Sequence, residues 1–180
     1  DISRGQGQIL ATVQADIALA AADACACHVE ALDDGFTADT ADSTHTRAGA
    51  PAGVTVQVAA INGARQRVWL CTPYFVPGEA ARMALQSAAM RGVDVRVYLP
   101  RRSDSLLTTL AARSYFDALC EAGVRVFEYL PRMLHAKALL VDEDVAIVGS
   151  ANFDPRSFRL NFELAVLFLD AGVAGQLARL

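Results

Sequence analysis

From residue 54 to the end of the chain, short β-branched runs alternate with stretches of helical periodicity, and this alternation restricts the fold more than any other feature. Segments of period 2 and period 3.6 in turn bury their apolar faces together as a sheet layered against helices, so the expected class is α/β. Residues 54–59 and 67–72 predict strands. Ala80, Met83, Ala84, Leu85 and Met90 predict a helix over 79–91, and Gly92 is placed to end it in the left-handed conformation. Val93, Val95, Val97 and Leu99 alternate as a strand does. A helix over 105–122 follows, with Ser103 or Asp104 as its cap and Gly123 just past its end. Residues 124–129, 134–141, 145–148 and 161–169 complete the predicted strands, and Asp142-Glu143-Asp144 is short enough to turn a hairpin.

The first 53 residues have a different texture. They are rich in Ala, Asp and Thr, with Phe36 as their only aromatic residue. Ile9, Leu10, Val13, Ile17 and Ala20 recur at roughly helical spacing, which predicts one amphipathic helix over 3–30, ended by Asp33-Asp34-Gly35. The domain reading is therefore a helical or disordered appendage and linker over 1–53, and a catalytic unit over 54–180. At 180 residues the chain has room for one well-filled domain. No apolar run approaches the ~18–20 residues that a membrane-spanning helix needs.

Charge separates the two parts as well. Residues 1–60 carry two Arg against eight Asp or Glu, and residues 61–180 carry 14 basic against 12 acidic side chains. The formal net charge of −4 argues against a protein that wraps nucleic acid in basic surface. Cys25, Cys27, Cys71 and Cys120 have neither the density nor the spacing of a disulfide framework, which fits a reducing compartment. Cys25-Ala-Cys27-His28 lacks a second ligand pair at a usual zinc spacing, so no metal site is expected.

The chemistry concentrates in Leu134-His135-Ala136-Lys137-Ala138-Leu139-Leu140-Val141-Asp142. In an extended segment, His135 and Lys137 project from the same side, roughly 6–7 Å apart along the chain. The chain has fifteen Arg and a single Lys, so Lys137 stands where a compact ammonium is wanted rather than a planar guanidinium. Asp142 has the opposite parity and is expected to brace the motif. Downstream, Gly149-Ser150-Ala151-Asn152 offers a hydroxyl and an amide of equal parity to one anion. Glu163 lies on the next predicted strand, where its carboxylate would hold one imidazole nitrogen of His135 and leave the other as nucleophile. Imidazole, cation, neutral donors and carboxylate describe a metal-independent site for attacking a phosphodiester. Trp69 and Phe127 are expected in the core, and Tyr74 and Phe75 either line a substrate channel or pack inside.

His135-x-Lys137-x4-Asp142 followed by Gly149-Ser150-x-Asn152 resembles the HxKx4D signature of the phospholipase D superfamily. Around it, Thr72-Pro73-Tyr74-Phe75-Val76-Pro77, Arg91-Gly92-Val93-Asp94-Val95-Arg96, Ser103-Asp104-Ser105 and Ser157–Glu163 are similar to the C-terminal catalytic half of bacterial cardiolipin synthases. The resemblance covers about residues 54–180 and implies a phospholipase D-like mixed sheet flanked by helices.

It further implies a phosphatidyltransferase without metal or organic cofactor. His135 would form a phosphohistidine, Lys137 and Asn152 would hold the non-bridging oxygens, Ser150 would assist and Glu163 would orient the imidazole. The implied partners are a phosphatidylglycerol-like phospholipid at the cytoplasmic face of the inner membrane, with no nucleic acid. The family pairs two such motifs per active site, and this chain carries one, because His28 and His45 match no part of the motif. The partner histidine is therefore expected from a second copy of the chain or from another half. A metal-independent phosphodiesterase or nuclease on the same site, and an inactive lipid-binding half, are the competing functions. A second departure is the short spacer 61–66 after the strand expected over 54–59, where relatives place a long helix.

Overall fold

The computed structural model describes residues 29–33, 52–130, 134–161 and 163–179. In chain order the strands are β1 (Val29–Asp33), β2 (Arg67–Cys71), β3 (Asp94–Pro100), β4 (Arg125–Tyr129), β5 (Ala138–Val141), β6 (Val145–Gly149) and β7 (Leu164–Leu169). The helices are α1 (Ala52–Gly63), α2 (Glu79–Met90), α3 (Leu106–Arg113), α4 (Phe116–Glu121), α5 (Pro155–Arg159) and α6 (Ala171–Leu177).

Among the described residues the strands form one mixed sheet in the order β1-β7-β6-β5-β2-β3-β4. β2, β3 and β4 run parallel, joined through α2 and through α3 and α4, as parallel neighbours require. β5, β6 and β7 form an antiparallel meander, and β5 pairs antiparallel with β2. The sheet is thus α/β on one flank and hairpin-built on the other, and the motif sits at the junction between them.

Alternation along the strands sorts the core. Val68, Leu70, Val95, Val97, Leu139 and Ile147 face α1, α2 and α4 in the larger cluster. Leu140, Ala146 and Phe168 face the other way, against Val173 and Ala174 of α6. Trp69 packs at the edge of this second cluster, with the guanidinium carbons of Arg67 and Arg96 4.9 and 4.4 Å from its ring centre. Phe127 departs from its expected core position: it is 40% exposed on β4 and stacks on Tyr98 at 5.1 Å.

Four sequence expectations are corrected. Residues 54–59 belong to helix α1, not a strand. The Val-Thr-Val-Gln-Val run suggested β structure, but Gln57, Ile61 and Ala64 are buried at helical spacing, and tertiary packing of that stripe overrides the β-branched propensity. α1 thus occupies the place where a strand and the short spacer 61–66 were expected instead of a long helix. The predicted helix over 105–122 is two helices broken at Ser114-Tyr115, and its cap is Ser105, whose side chain accepts from the Thr108 amide. The strand expected over 161–169 begins at Leu164 and follows α5, whose cap is Asp154 with Pro155 in the first turn. The strand expected from Leu134 begins at Ala138.

Within the N-terminal segment, Val29–Asp33 pairs antiparallel with β7, so Val29 and Glu30 are strand where the predicted helix would end. The rest of that predicted helix, Cys25, Cys27, His28 and His45 lie outside the described residues.

Candidate active site

The site is built where four connections meet at one end of β2, β5, β6 and β7. Residues 134–137 approach β5 without ladder pairing, although the Lys137 carbonyl accepts a backbone bond from the Gly149 amide at 3.2 Å. The lysine Nζ donates to the His135 carbonyl at 3.0 Å, so the two residues form one local unit. Both side chains are half-buried.

Burial lowers the His135 pKa first, the nearby Lys137 charge lowers it further, and Asp104 opposes both. The net direction favours a neutral imidazole, the form with a lone pair for attack. Burial also lowers the Lys137 pKa, opposed by Glu163 and Cys71. Cys71 at the end of β2 is pushed up to about 12 by burial, partly offset by Lys137, and its thiol donates to the Ala136 carbonyl at 3.7 Å. It is a protonated structural thiol, not a nucleophile.

Ser150, Asn161 and Glu163 form the other wall. The Ser150 hydroxyl donates in a short hydrogen bond to Glu163 Oε2, and Asn161 Nδ2 donates to Oε1 at 3.1 Å. Ser150 and Leu164 also exchange bonds: the Ser150 amide donates to the Leu164 carbonyl at 2.9 Å, and the Leu164 amide donates to Ser150 Oγ at 3.0 Å. Gly149 makes this closeness possible, because a Cβ there would lie 2.3 Å from the Leu164 carbonyl oxygen.

The expected hydrogen bond from Glu163 to His135 is not made. The carboxylate is taken up by Ser150 and Asn161, and its charge acts on Lys137. The group that does act on His135 electrostatically is Asp104, on the loop before α3. Asp104 accepts from the Tyr74 hydroxyl at 2.7 Å, and the Tyr74 ring meets His135 edge-on at 6.5 Å. The Tyr74 and Ser103 hydrogen bonds hold the Asp104 carboxyl below its ordinary value. Sequence reasoning read Asp104 as a candidate helix cap and as part of the Ser103-Asp104-Ser105 stretch of the resemblance, with no role beside His135; its place here is set by the Tyr74 contact across 30 residues of chain, which no local pattern reports.

Asn152 lies on the loop after β6, and its Oδ1 is buried without a hydrogen-bond partner among the described residues. Oδ1 is an acceptor, so what would satisfy it is a hydrogen-bond donor and not a phosphate oxygen. Beneath Lys137 lies a small cavity, with room for about one water, lined by Gln57, Leu70, Cys71 and Thr72 among others. Gln57 of α1 is 8% exposed and adds a polar side chain to this lining beside Thr72 and Lys137, one that sequence reasoning missed because it read the segment as a strand.

Two loops that carry these groups are locked together from behind. Buried Thr72 donates to the Tyr74 carbonyl at 2.9 Å and accepts from the Phe153 amide at 3.2 Å, while the Val76 amide donates to the Phe153 carbonyl at 3.1 Å. Phe75 and Phe153 are buried and stacked at 5.8 Å, with Phe158 edge-on to Phe153 at 5.4 Å. Tyr74 thereby faces His135 and Phe75 the core, so the packing reading holds for Phe75.

Asp142 is the brace that the sequence suggested. Its carboxylate accepts from the amides of Arg65, Gln66 and Arg67, with the Gln66 contact at 2.7 Å, tying the β5–β6 hairpin to the start of β2. Burial alone would raise its pKa, and these backbone donors outweigh it and lower it.

Fold and site together define a phospholipase D-like domain, with a mixed sheet presenting His-x-Lys beside Gly-Ser-x-Asn. Residues 58–180 match the family model described as cardiolipin synthase, PLD-like domain, and the chain belongs to this family. Over 119 residues it is 52% identical to cardiolipin synthase A of Pseudomonas aeruginosa, an alignment covering 66% of this chain and 24% of that protein. A probable cardiolipin synthase of Bacillus subtilis is 50% identical over 111 residues, covering 62% of this chain and 22% of the relative. The chain thus spans about a quarter of the length of the curated relatives it matches. Among solved structures, the phospholipase D family member Nuc from Salmonella typhimurium superposes with a TM-score of 0.67 at 20% identity, covering 85% of this chain and 90% of that one. Phosphatidylserine synthase from Haemophilus influenzae superposes with a TM-score of 0.61 at 18% identity, over 84% of this chain and 37% of that one. At these identities the structures share the fold.

Proposed function

We propose that this domain is one catalytic half of a phosphatidyltransferase of cardiolipin synthase type. The observation that carries the reading is the half-buried His135–Lys137 pair, set near Ser150 and Glu163 on a chain 52% identical to cardiolipin synthase A over 119 residues.

In the first step an imidazole nitrogen of His135 attacks the phosphorus of a phosphatidylglycerol-like donor. A nitrogen–phosphorus bond forms, the bond from phosphorus to the head-group oxygen breaks, and the departing alkoxide takes a proton. Lys137 and Asn152 hold the non-bridging oxygens as charge builds on them, a contribution that reaches orders of magnitude in rate. In the second step an acceptor alcohol gives up its proton and displaces the histidine. Splitting one displacement into two is the gain of covalent catalysis. Ser150 and Glu163 position the wall of the site, and Asp142 holds the hairpin that carries Lys137.

The proton for the leaving head group comes from a second histidine motif, supplied by a second copy of this chain or by another half. The enzyme works peripherally at the cytoplasmic face of the inner membrane. No helix among the described residues is long and apolar enough to cross a membrane.

The test is turnover of phosphatidylglycerol with an alcohol acceptor in the presence of EDTA, alongside the molecular mass in solution. Formation of the transferred lipid by a species with two motifs, and its loss in His135→Ala, is the expected result. Cleavage of DNA with phospholipid left untouched would reverse the assignment in favour of a nuclease.

A further inference from the structure

α3 is unusual among the longer helices in that none of its residues is buried. Leu106, Leu107 and Leu110 are 73, 79 and 54% exposed, and the first and last share a helical face at i and i+4. Leucines gathered in this way on one surface differ from scattered apolar residues, which need no explanation.

The surroundings indicate what covers them. Arg101 and Arg102 precede α3 and are exposed, and no acid engages either guanidinium among the described residues. By contrast Arg82, Arg96, Arg113 and Arg125 are each paired with a carboxylate. The patch is also joined to the site, because the loop from Arg101 to Ser105 contains Asp104, which holds Tyr74 against His135. On the opposite wall Leu160 is 75% exposed beside Arg156 and Arg159, just before Asn161 and Glu163 close on Ser150. Apolar surface with exposed arginines on both sides of the candidate site matches the cross-section of an anionic bilayer, acyl chains below and phosphates above.

We propose that α3 docks this domain on an anionic phospholipid surface, with Leu106, Leu107 and Leu110 entering the acyl boundary and Arg101 and Arg102 at the level of the lipid phosphates. This rests on the phosphatidyltransferase reading above and adds the surface that brings the head group to His135. The Asp104–Tyr74 link sets the distance between the bilayer and the imidazole.

Sedimentation with vesicles of mixed phosphatidylglycerol and phosphatidylcholine tests it on the full chain. Wild type is expected to pellet with the mixed vesicles and not with phosphatidylcholine alone. Leu106→Ser/Leu107→Ser/Leu110→Ser and Arg101→Gln/Arg102→Gln should each weaken binding by about tenfold or more, and His135→Ala should bind as wild type does. As a readout independent of those variants, the fluorescence emission of Leu107→Trp should shift to the blue when anionic vesicles are added. Vesicle binding that survives both multiple variants, or an emission spectrum of Leu107→Trp that is unmoved in bound protein, overturns the proposal. So does a leucine variant whose only change is a smaller mass in solution, which would mark the patch as a protein interface. Because His135→Ala keeps binding, failure of the chemistry and failure of the docking surface are read separately.

Discussion

His135 gains its chemical character from what surrounds it. Burial and the Lys137 ammonium both disfavour a second proton on the ring, and Asp104 only partly restores it. Its folded-state pKa therefore lies below the ordinary value, so the ring is neutral at pH 7 and becomes charged only at lower pH. In a variant with His28 and His45 replaced, the remaining imidazole NMR signal should titrate with a midpoint below about 6.5. Lys137→Met should move that midpoint upward, because it removes a repelling charge; a midpoint unmoved by it would show that the two side chains do not share a field. The choice of His135, Lys137, Ser150, Asn152 and Glu163 as candidates was open to the sequence, through the short motif and the resemblance around it. The pairing among them was not. Glu163 was expected on His135 and instead accepts from Ser150 and Asn161, while Asp104 occupies the electrostatic role beside the imidazole. Contacts across that much chain depend on how loops pack, which residue spacing does not encode.

Elements position these groups through two close approaches, and each makes a prediction. Gly149 allows β6 and β7 to approach until Ser150 and Leu164 exchange hydrogen bonds. Gly149→Ala places a methyl group against the Leu164 carbonyl and the Ala165 Cα, so β7 must move and carry Glu163 with it. Thermal unfolding should report a loss of about 1–3 kcal/mol, and a variant as stable as wild type would show that the two strands are not held at this distance. At the other end of the motif, Asp142 stands in the left-handed region with φ of 53° and binds three consecutive amides. Asp142→Ala should cost about 2 kcal/mol at neutral pH, roughly 4–8 °C in Tm. The folded pKa is lowered, so this stabilisation is present above the unfolded value of ~3.9 and is lost as pH falls through the folded one. The gap between variant and wild type should therefore narrow in acid, and a gap that is constant with pH would argue against an ionised brace.

The elements themselves were unevenly legible. β3, β4, β6 and α2 match their periodic patterns to within a residue or so, and β3 and α2 each bury one regular stripe. α1 was mistaken for a strand because the β-branched Val54, Thr55, Val56 and Val58 masked the stripe formed by Gln57, Ile61 and Ala64. α5 was missed although Asp154-Pro155 is a readable helix start.

At the scale of the whole molecule, the sheet joins a parallel flank, β2 to β4, to an antiparallel one, β5 to β7, and the motif lies on the seam. The α/β class was evident from the alternation of periods, whereas the pairing of β1 with β7 was not, because five residues of an Ala- and Asp-rich segment carry no strand signature. On the proposed mechanism a single motif of this kind would supply a nucleophile and an anion-binding wall, and a second would supply the acid that protonates the departing head group. That division allows the central claim to be tested on this chain alone. A phosphatidyl ester of p-nitrophenol has a leaving group that needs no protonation, so attack by His135 should proceed without a partner histidine. Mixing it with the protein should release a burst of nitrophenolate approaching one equivalent and leave an acid-labile phosphatidyl adduct, located by mass spectrometry on the peptide containing His135. A burst that persists in His135→Ala, or an adduct on any other residue, would contradict the account.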